Sequence, residues 1–256
     1  MVETAEGADR LLEGENVALL GDSNTWIGGD RCDDPKGWSY WFAREVTPAR
    51  MRSYARSGAT WTHVPATVAD IDGYSEVITD NNVVYNQVLR LIEAVRHKGE
   101  PEPDIVMISA GTNDAWFPQS RPEAFSRKPS DVARRDEAEL LSMPPGRILS
   151  LPEAVRYDLL ALQGAFPQAR LIVMTPLQSI KISDDMLSEV SGMIEETALA
   201  TGAAVIRQDI LCPIDRESEM VRRSLTSDGT HTSEEGAMRN ARVIVDCVAR
   251  ILDTVR

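Results

Sequence analysis

Short apolar runs separated by longer stretches of helical period are the feature that most constrains this chain. Candidate strands fall at 16–21 (NVALLG), 51–55 (MRSYA), 104–109 (DIVMIS), 170–175 (RLIVMT) and 203–207 (AAVIR). Candidate helices fall at about 38–45, 82–98, 152–165, 182–201 and 234–254. Strands that are apolar at consecutive positions are buried on both faces, and parallel neighbours need a crossover helix between them. The alternation therefore predicts an α/β chain: a central parallel sheet with helices on both faces. The 256 residues suit one domain, 1–256, and any disorder is expected only in the first ten or so residues.

Local signals refine this reading. Strands 104–109 and 170–175 end in the turn signals SAGTND and TP. The last helix follows Thr232-Ser233-Glu234-Glu235, which fits a capping box with Thr232 as cap and Glu235 reaching back. Residues 115–150 resist the pattern, with five prolines and a charged middle. So long a connection reads either as a functional loop or lid or as a helical surface excursion.

Charge and cysteine usage exclude several function classes. A net charge of −13, from 40 acidic and 27 basic residues, repels phosphate backbones and anionic lipid, so neither nucleic acid nor membrane is an expected partner. Cys32, Cys212 and Cys247 form no CxxC pair and are expected to be reduced thiols. The start lacks a basic segment followed by an apolar run, so a complete chain would be cytoplasmic, and one whose leader had been removed would be periplasmic or secreted.

In open α/β sheets ligands sit beyond the carboxyl ends of the strands. Asp22, Ser23 and Asn24 follow the first strand, Ser57 and Gly58 the second, and Gly111, Thr112, Asn113 and Asp114 the third. The segment TSDGTH, 226–231, leads into the final helix. A serine becomes a useful nucleophile when a histidine takes its proton and donors hold the oxyanion. Of three histidines, His97 reads as a solvated helix end and His63 as a loop residue, which leaves His231. Asp228, three residues upstream, can reach the imidazole Nδ1–H and fix the tautomer, leaving Nε2 to face Ser23. Taken alone, a D-x-x-H spacing arises often by chance.

Four blocks together carry more. GDSNT with Ser23, RSGAT with Gly58, GTND with Asn113, and DGTH with Asp228 and His231 stand in the order found in the SGNH, or GDSL-like, hydrolase family, which this chain resembles. The resemblance implies a flavodoxin-like three-layer α/β/α sandwich with a sheet of about five strands. It implies ester hydrolysis with no organic cofactor and no metal, Ser23 attacking and His231 acting as base and then acid. The oxyanion hole would be the Ser23 and Gly58 amides and the Asn113 side chain. Asn24 replaces the leucine of the commonest spelling, the second block is the shortest match, and 115–150 has no family-wide counterpart.

Rival chemistries lack their motifs. The chain has no G-x-S-x-G elbow, no G-x-G-x-x-G or Walker loop, and no HExxH. The acidic run Asp30, Asp33, Asp34 reads as a solvated loop. Trp26, Trp38, Trp61 and Trp116 lie near the blocks, and Trp26 and Trp116 are the candidate sugar contacts. With no extended apolar segment beside the blocks, the expected substrate is a small-molecule ester: a short acyl group, acetyl first, on a carbohydrate or other polar alcohol. An acyltransferase or a lipase-like acylhydrolase is the alternative, and a non-catalytic binding module the more distant one.

Overall fold

The computed structural model describes residues 10–254; the first nine residues, where disorder was expected, lie outside the described residues. Five parallel strands form one sheet in the order β2-β1-β3-β4-β5, with β1 at Asn16–Gly21, β2 at Arg50–Ser53, β3 at Ile105–Ser109, β4 at Arg170–Met174 and β5 at Ala204–Ile206. All four pairings are parallel, with Val17 opposite both Met51 and Ile105.

Side chains alternate across a strand, so each strand feeds two cores. Val17, Leu19, Ile105, Met107, Ile172 and Met174 face one side, where they pack with α2 (Trp38–Val46) and α7 (Glu234–Asp253). Ala18, Leu20, Val106, Ile108, Leu171 and Val173 face the other, against α3 (Val84–His97), α5 (Leu151–Ala165) and α6 (Asp184–Ala200). The result is the expected three-layer α/β/α sandwich. Two shorter helices at the sheet's carboxyl edge, α1 (Ser23–Trp26) and α4 (Thr112–Trp116), complete the elements used below. No helix among the described residues is long and apolar enough to cross a membrane.

The edge strands are shorter than the sequence predicted. β2 stops at Ser53 rather than 55, and β5 spans three residues, because outer strands are half covered and their sequences carry weaker apolar signals. The capping box expected at α7 is replaced by a plain cap one residue on: Ser233 is the cap, its hydroxyl accepting from the Gly236 amide, and Gly236 has no side chain to reach back. Thr232 is occupied elsewhere, donating its hydroxyl to the Lys36 carbonyl. A capping box does occur at the start of α5, where Ser150 and Glu153 exchange bonds.

Beyond α4, the 115–150 segment is a docked helical excursion. Short helical turns at 118–120, 129–132, 137–142 and 145–147 bury Val132, Leu140 and Ile148. Buried Arg121 fastens its start, donating to the Thr62 and Thr79 carbonyls at 3.0 and 2.9 Å. Arg156 of α5 holds the Val132 and Arg135 carbonyls. His63 is a loop residue, as expected, but it is buried: its Nδ1 donates to the Pro145 carbonyl at 2.9 Å, and burial pushes its pKa down to about 4. His97 ends α3 in solvent, 3.8 Å from Glu93. Cys32, Cys212 and Cys247 are all free thiols.

Candidate functional site

The sheet order places β1 between β2 and β3, so whatever follows β1 has the ends of β2 and β3 on either side. The chain leaves β1 toward β2 and later returns to β3 on the opposite flank, which makes the β1–β3 junction the topological switch point where such sheets bind ligands. Ser23 stands at that junction.

The turn that carries it is tightly specified. Gly21 has φ +149°, and a Cβ there would lie 2.1 Å from the Ser109 carbonyl oxygen, so only glycine fits beside β3. The Gln87 side chain, fully buried on α3, satisfies both backbone groups of Gly21, accepting from its amide at 2.7 Å and donating to its carbonyl at 2.8 Å. Asp22 then caps α1, so Ser23 occupies the first helical position with its backbone N–H pointing out of the helix start.

His231 reaches Ser23 across 208 positions of sequence: Nε2 lies 2.9 Å from Oγ. Its Nδ1 lies 2.8 Å from Asp228 Oδ2. A carboxylate can only accept, so Nδ1 carries the ring proton and Nε2 is left to accept from the serine hydroxyl. The carboxylate is itself held in place, because Asp228 Oδ1 accepts from the Thr230 and His231 amides at 2.9 and 2.8 Å. Partial burial pushes the Asp228 pKa up, but the bonds from the His231 backbone and ring and the Thr230 backbone outweigh it and hold the carboxyl below its ordinary range. Asn24 ties the two segments together, its Oδ1 accepting from the Thr232 amide at 3.4 Å.

On the other side of Ser23, Gly58 and Asn113 line the same cleft. Asn113 donates one Nδ2 hydrogen to the Ala59 carbonyl at 2.8 Å, which fixes the amide plane and leaves its second hydrogen for a ligand. Neither the Ser23 nor the Gly58 backbone N–H meets an acceptor among the described residues. Asp114, one residue on, is fully buried and accepts from the Trp61 and Thr62 amides, both at 3.0 Å, so the turn bearing Asn113 is locked to the segment that follows Gly58.

The cleft, about 500 Å³, is also lined by Val77, Ile78, Trp116, Phe117 and Ser120. Trp116 and Phe117 stack with centroids 4.8 Å apart and planes 19° apart. Val77, Ile78 and Phe117 were not anticipated. The signal for the first two was slight: two apolar residues within a polar stretch of loop.

Of the four tryptophans near the blocks, Trp116 alone lines the cleft. Trp38 and Trp61 are buried in the core, and Trp26 is half-buried and not among the residues that line the cleft. The acidic run is engaged in local pairing: Asp30 with Arg56 at 2.9 Å, Asp33 with Arg31 at 3.4 Å, and Asp34 accepting from the Lys36 amide at 2.9 Å. No group of three or more His, Cys, Asp or Glu side chains suited to a metal ion occurs among the described residues.

Asp22 carries more than a cap. Its Oδ1 accepts from the Asn24 amide and its Oδ2 from the Thr112 amide, both at 3.2 Å, joining the start of α1 to the start of α4. Complete burial pushes its pKa up to about 6 from 3.8, against the opposing pull of the Thr112 and Asn24 hydrogen bonds and of His231. Because the folded state then binds the proton more tightly than the unfolded chain, ionising Asp22 costs stability. That cost is absent below about pH 4, grows as pH rises to about 6, and is complete above it, at about 3 kcal/mol. Asp22→Asn, which keeps a capping oxygen, should therefore gain on the wild type by about that amount between pH 4 and pH 7 in urea unfolding. Parallel stability–pH curves for the two proteins would refute the assignment.

Comparison with known proteins gives a family and a fold. The GDSL-like lipase/acylhydrolase family matches over residues 19–239. No curated protein matches the chain by sequence. Among solved structures, a Bacteroides uniformis protein described as a GDSL-like lipase is 20% identical, with a TM-score of 0.56 over 93% of this chain and 96% of its own. The acetyl xylan esterase AlAXEase is 16% identical, with a TM-score of 0.57 over 91% and 99%. Phospholipase A1 from Streptomyces albidoflavus is 15% identical, with a TM-score of 0.54 over the same shares, 91% and 99%. At these identities the likeness is one of fold.

Proposed function

Because the chain belongs to the GDSL-like lipase/acylhydrolase family, we propose that it hydrolyses carboxylic esters through an acyl-enzyme on Ser23. The observation that carries the reading is the unbroken hydrogen-bonded line Asp228–His231–Ser23, ending in a cleft that also holds Gly58 and Asn113. Ser23 Oγ attacks the acyl carbon while its proton passes to His231 Nε2, and Asp228 stabilises the imidazolium. The carbonyl oxygen takes the negative charge among the Ser23 and Gly58 amides and the free Asn113 Nδ2 hydrogen. The tetrahedral species collapses, the C–O bond to the alcohol breaks, and the alcohol leaves with the proton from His231. Water repeats the sequence on the acyl-enzyme, its proton going to His231 and then to Ser23 Oγ, and the acid is released.

An alcohol in place of water would make the same residues an acyltransferase. The expected acetyl ester of a sugar drew on the tryptophans and on the lack of an apolar segment beside the blocks. With Trp38 and Trp61 in the core and Trp26 outside the cleft lining, a cleft walled by Val77, Ile78, Trp116 and Phe117 suits an apolar acyl chain better.

A phosphonylating probe tests the nucleophile directly. Incubation with a fluorophosphonate should add one phosphonyl group to the wild-type protein at Ser23, read by intact mass and peptide mapping, and Ser23→Ala should stay unlabelled. Equal labelling of both proteins would put the nucleophile elsewhere.

A further inference from the structure

The loop between β2 and α3 supplies one wall of the cleft, and the way it is attached is unusual. Val77 and Ile78 lie directly over Gly58: a Cβ on Gly58 would fall 2.5 Å from the Val77 carbonyl carbon and 2.6 Å from the Ile78 nitrogen. Gly58 has φ +76°, so both the conformation and the overlying backbone demand glycine. A buried amide helps to join the two layers. Asn82, 3% exposed, donates one Nδ2 hydrogen to the Ser57 carbonyl at 2.7 Å and the other to the Val77 carbonyl at 2.8 Å. Its backbone carbonyl accepts from the Thr60 amide at 3.2 Å, just beyond the same turn. With both hydrogens spent on carbonyls either side of Gly58, Asn82 makes the wall and the oxyanion turn one unit.

The Trp116–Phe117 stack lines the same cleft. The two sides differ in character. Arg121, just beyond the stack, ties the aromatic segment to the Thr62 carbonyl and to the Thr79 carbonyl of the loop itself. On the loop side Val77 is 65% exposed, a large apolar residue left in water. A group that covers Val77 would remove it from water and would bear on the segment that holds Gly58 in place.

Resting on the ester-hydrolase reading above, we propose that Val77 and Ile78 form the acyl-specificity wall of the cleft, that Asn82 is the positioning residue fixing that wall to the Gly58 turn, and that the cleft takes an apolar acyl chain of several carbons. Each methylene buried against the wall adds favourable transfer energy, and an acetyl group is too short to collect it. Because the wall and the oxyanion turn move together, chain contact also holds the donor in place, so part of the gain appears in kcat rather than in KM alone.

The test is a series of p-nitrophenyl esters from acetate through butyrate and hexanoate to octanoate, with Ser23→Ala as the blank. Wild-type kcat/KM should rise from acetate to hexanoate. Val77→Ser, a change at an exposed loop position, should lower the hexanoate-to-acetate ratio of kcat/KM about tenfold. Asn82→Ala should lower kcat by about a hundredfold on acetate and by more on hexanoate, while the acetate KM changes little. A merely structural Asn82 would lower the melting temperature and the active fraction without altering the hexanoate preference; the variant should instead flatten that preference in the active fraction. If the wild type cleaves acetate best and Val77→Ser leaves the ratio unchanged, the acyl wall is refuted while the esterase stands. If no ester in the series is cleaved above the Ser23→Ala blank, both fall.

Discussion

Ser23→Ala is expected to lower kcat on any ester the protein cleaves by about a millionfold, and His231→Ala by nearly as much. The two act as one device: without Oγ there is no covalent step, and without Nε2 at 2.9 Å the hydroxyl keeps its proton and stays a weak nucleophile. The double variant should therefore be no slower than either single one, a non-additivity that separates a shared role from two independent contributions. Asp228→Asn should cost less, about a thousandfold. The Asn oxygen can still accept from the Thr230 and His231 amides that Asp228 Oδ1 now binds, but its NH₂ would face Nδ1 and favour the wrong tautomer. The Asp228 side chain is 54% exposed, so water can share the work of stabilising the imidazolium. Single-turnover kinetics on a p-nitrophenyl ester measure all three. A Ser23→Ala rate within tenfold of wild type would remove Ser23 as the nucleophile.

The central strands were legible because β1, β3 and β4 are buried on both faces, so nearly every residue is apolar and the signal is continuous. β2, with Arg50 and Arg52 turned toward Glu100, carries too little apolar character for its end to be read from sequence. Ser23, Asn113 and His231 could be picked out as residue types suited to one chemistry, and the fold brings the ends of β1 and β3 and the turn before α7 to one cleft. Thr232 could not be distinguished from Ser233 as the cap, since what decides between them is a hydrogen bond to Lys36, 196 positions away. Val77 and Ile78 were invisible for a related reason. They reach the serine by lying over Gly58 under the hold of Asn82, and nothing in the local sequence encodes that contact.

Asn113→Ala should lower kcat by about a hundredfold to a thousandfold with little change in KM, because the second Nδ2 hydrogen is needed when charge develops on the carbonyl oxygen. The geometry makes this side chain a sharp probe. Its first hydrogen, bound to the Ala59 carbonyl at 2.8 Å, prevents the amide from flipping, so the donor is in position before the substrate arrives and no reorganisation is required during the reaction. Asn113→Asp should be worse than Asn113→Ala. A carboxylate of the same shape would point one oxygen at the Ala59 carbonyl and the other at the forming oxyanion, replacing two attractive contacts with two repulsive ones. The order wild type, Ala, Asp in kcat is diagnostic only beside stability: repulsion at the Ala59 carbonyl shows in the melting temperature, whereas loss of an oxyanion donor shows in the kcat of the folded protein. Measuring kcat and melting temperature for the three proteins decides it, and Asp outperforming Ala would remove Asn113 from the oxyanion hole.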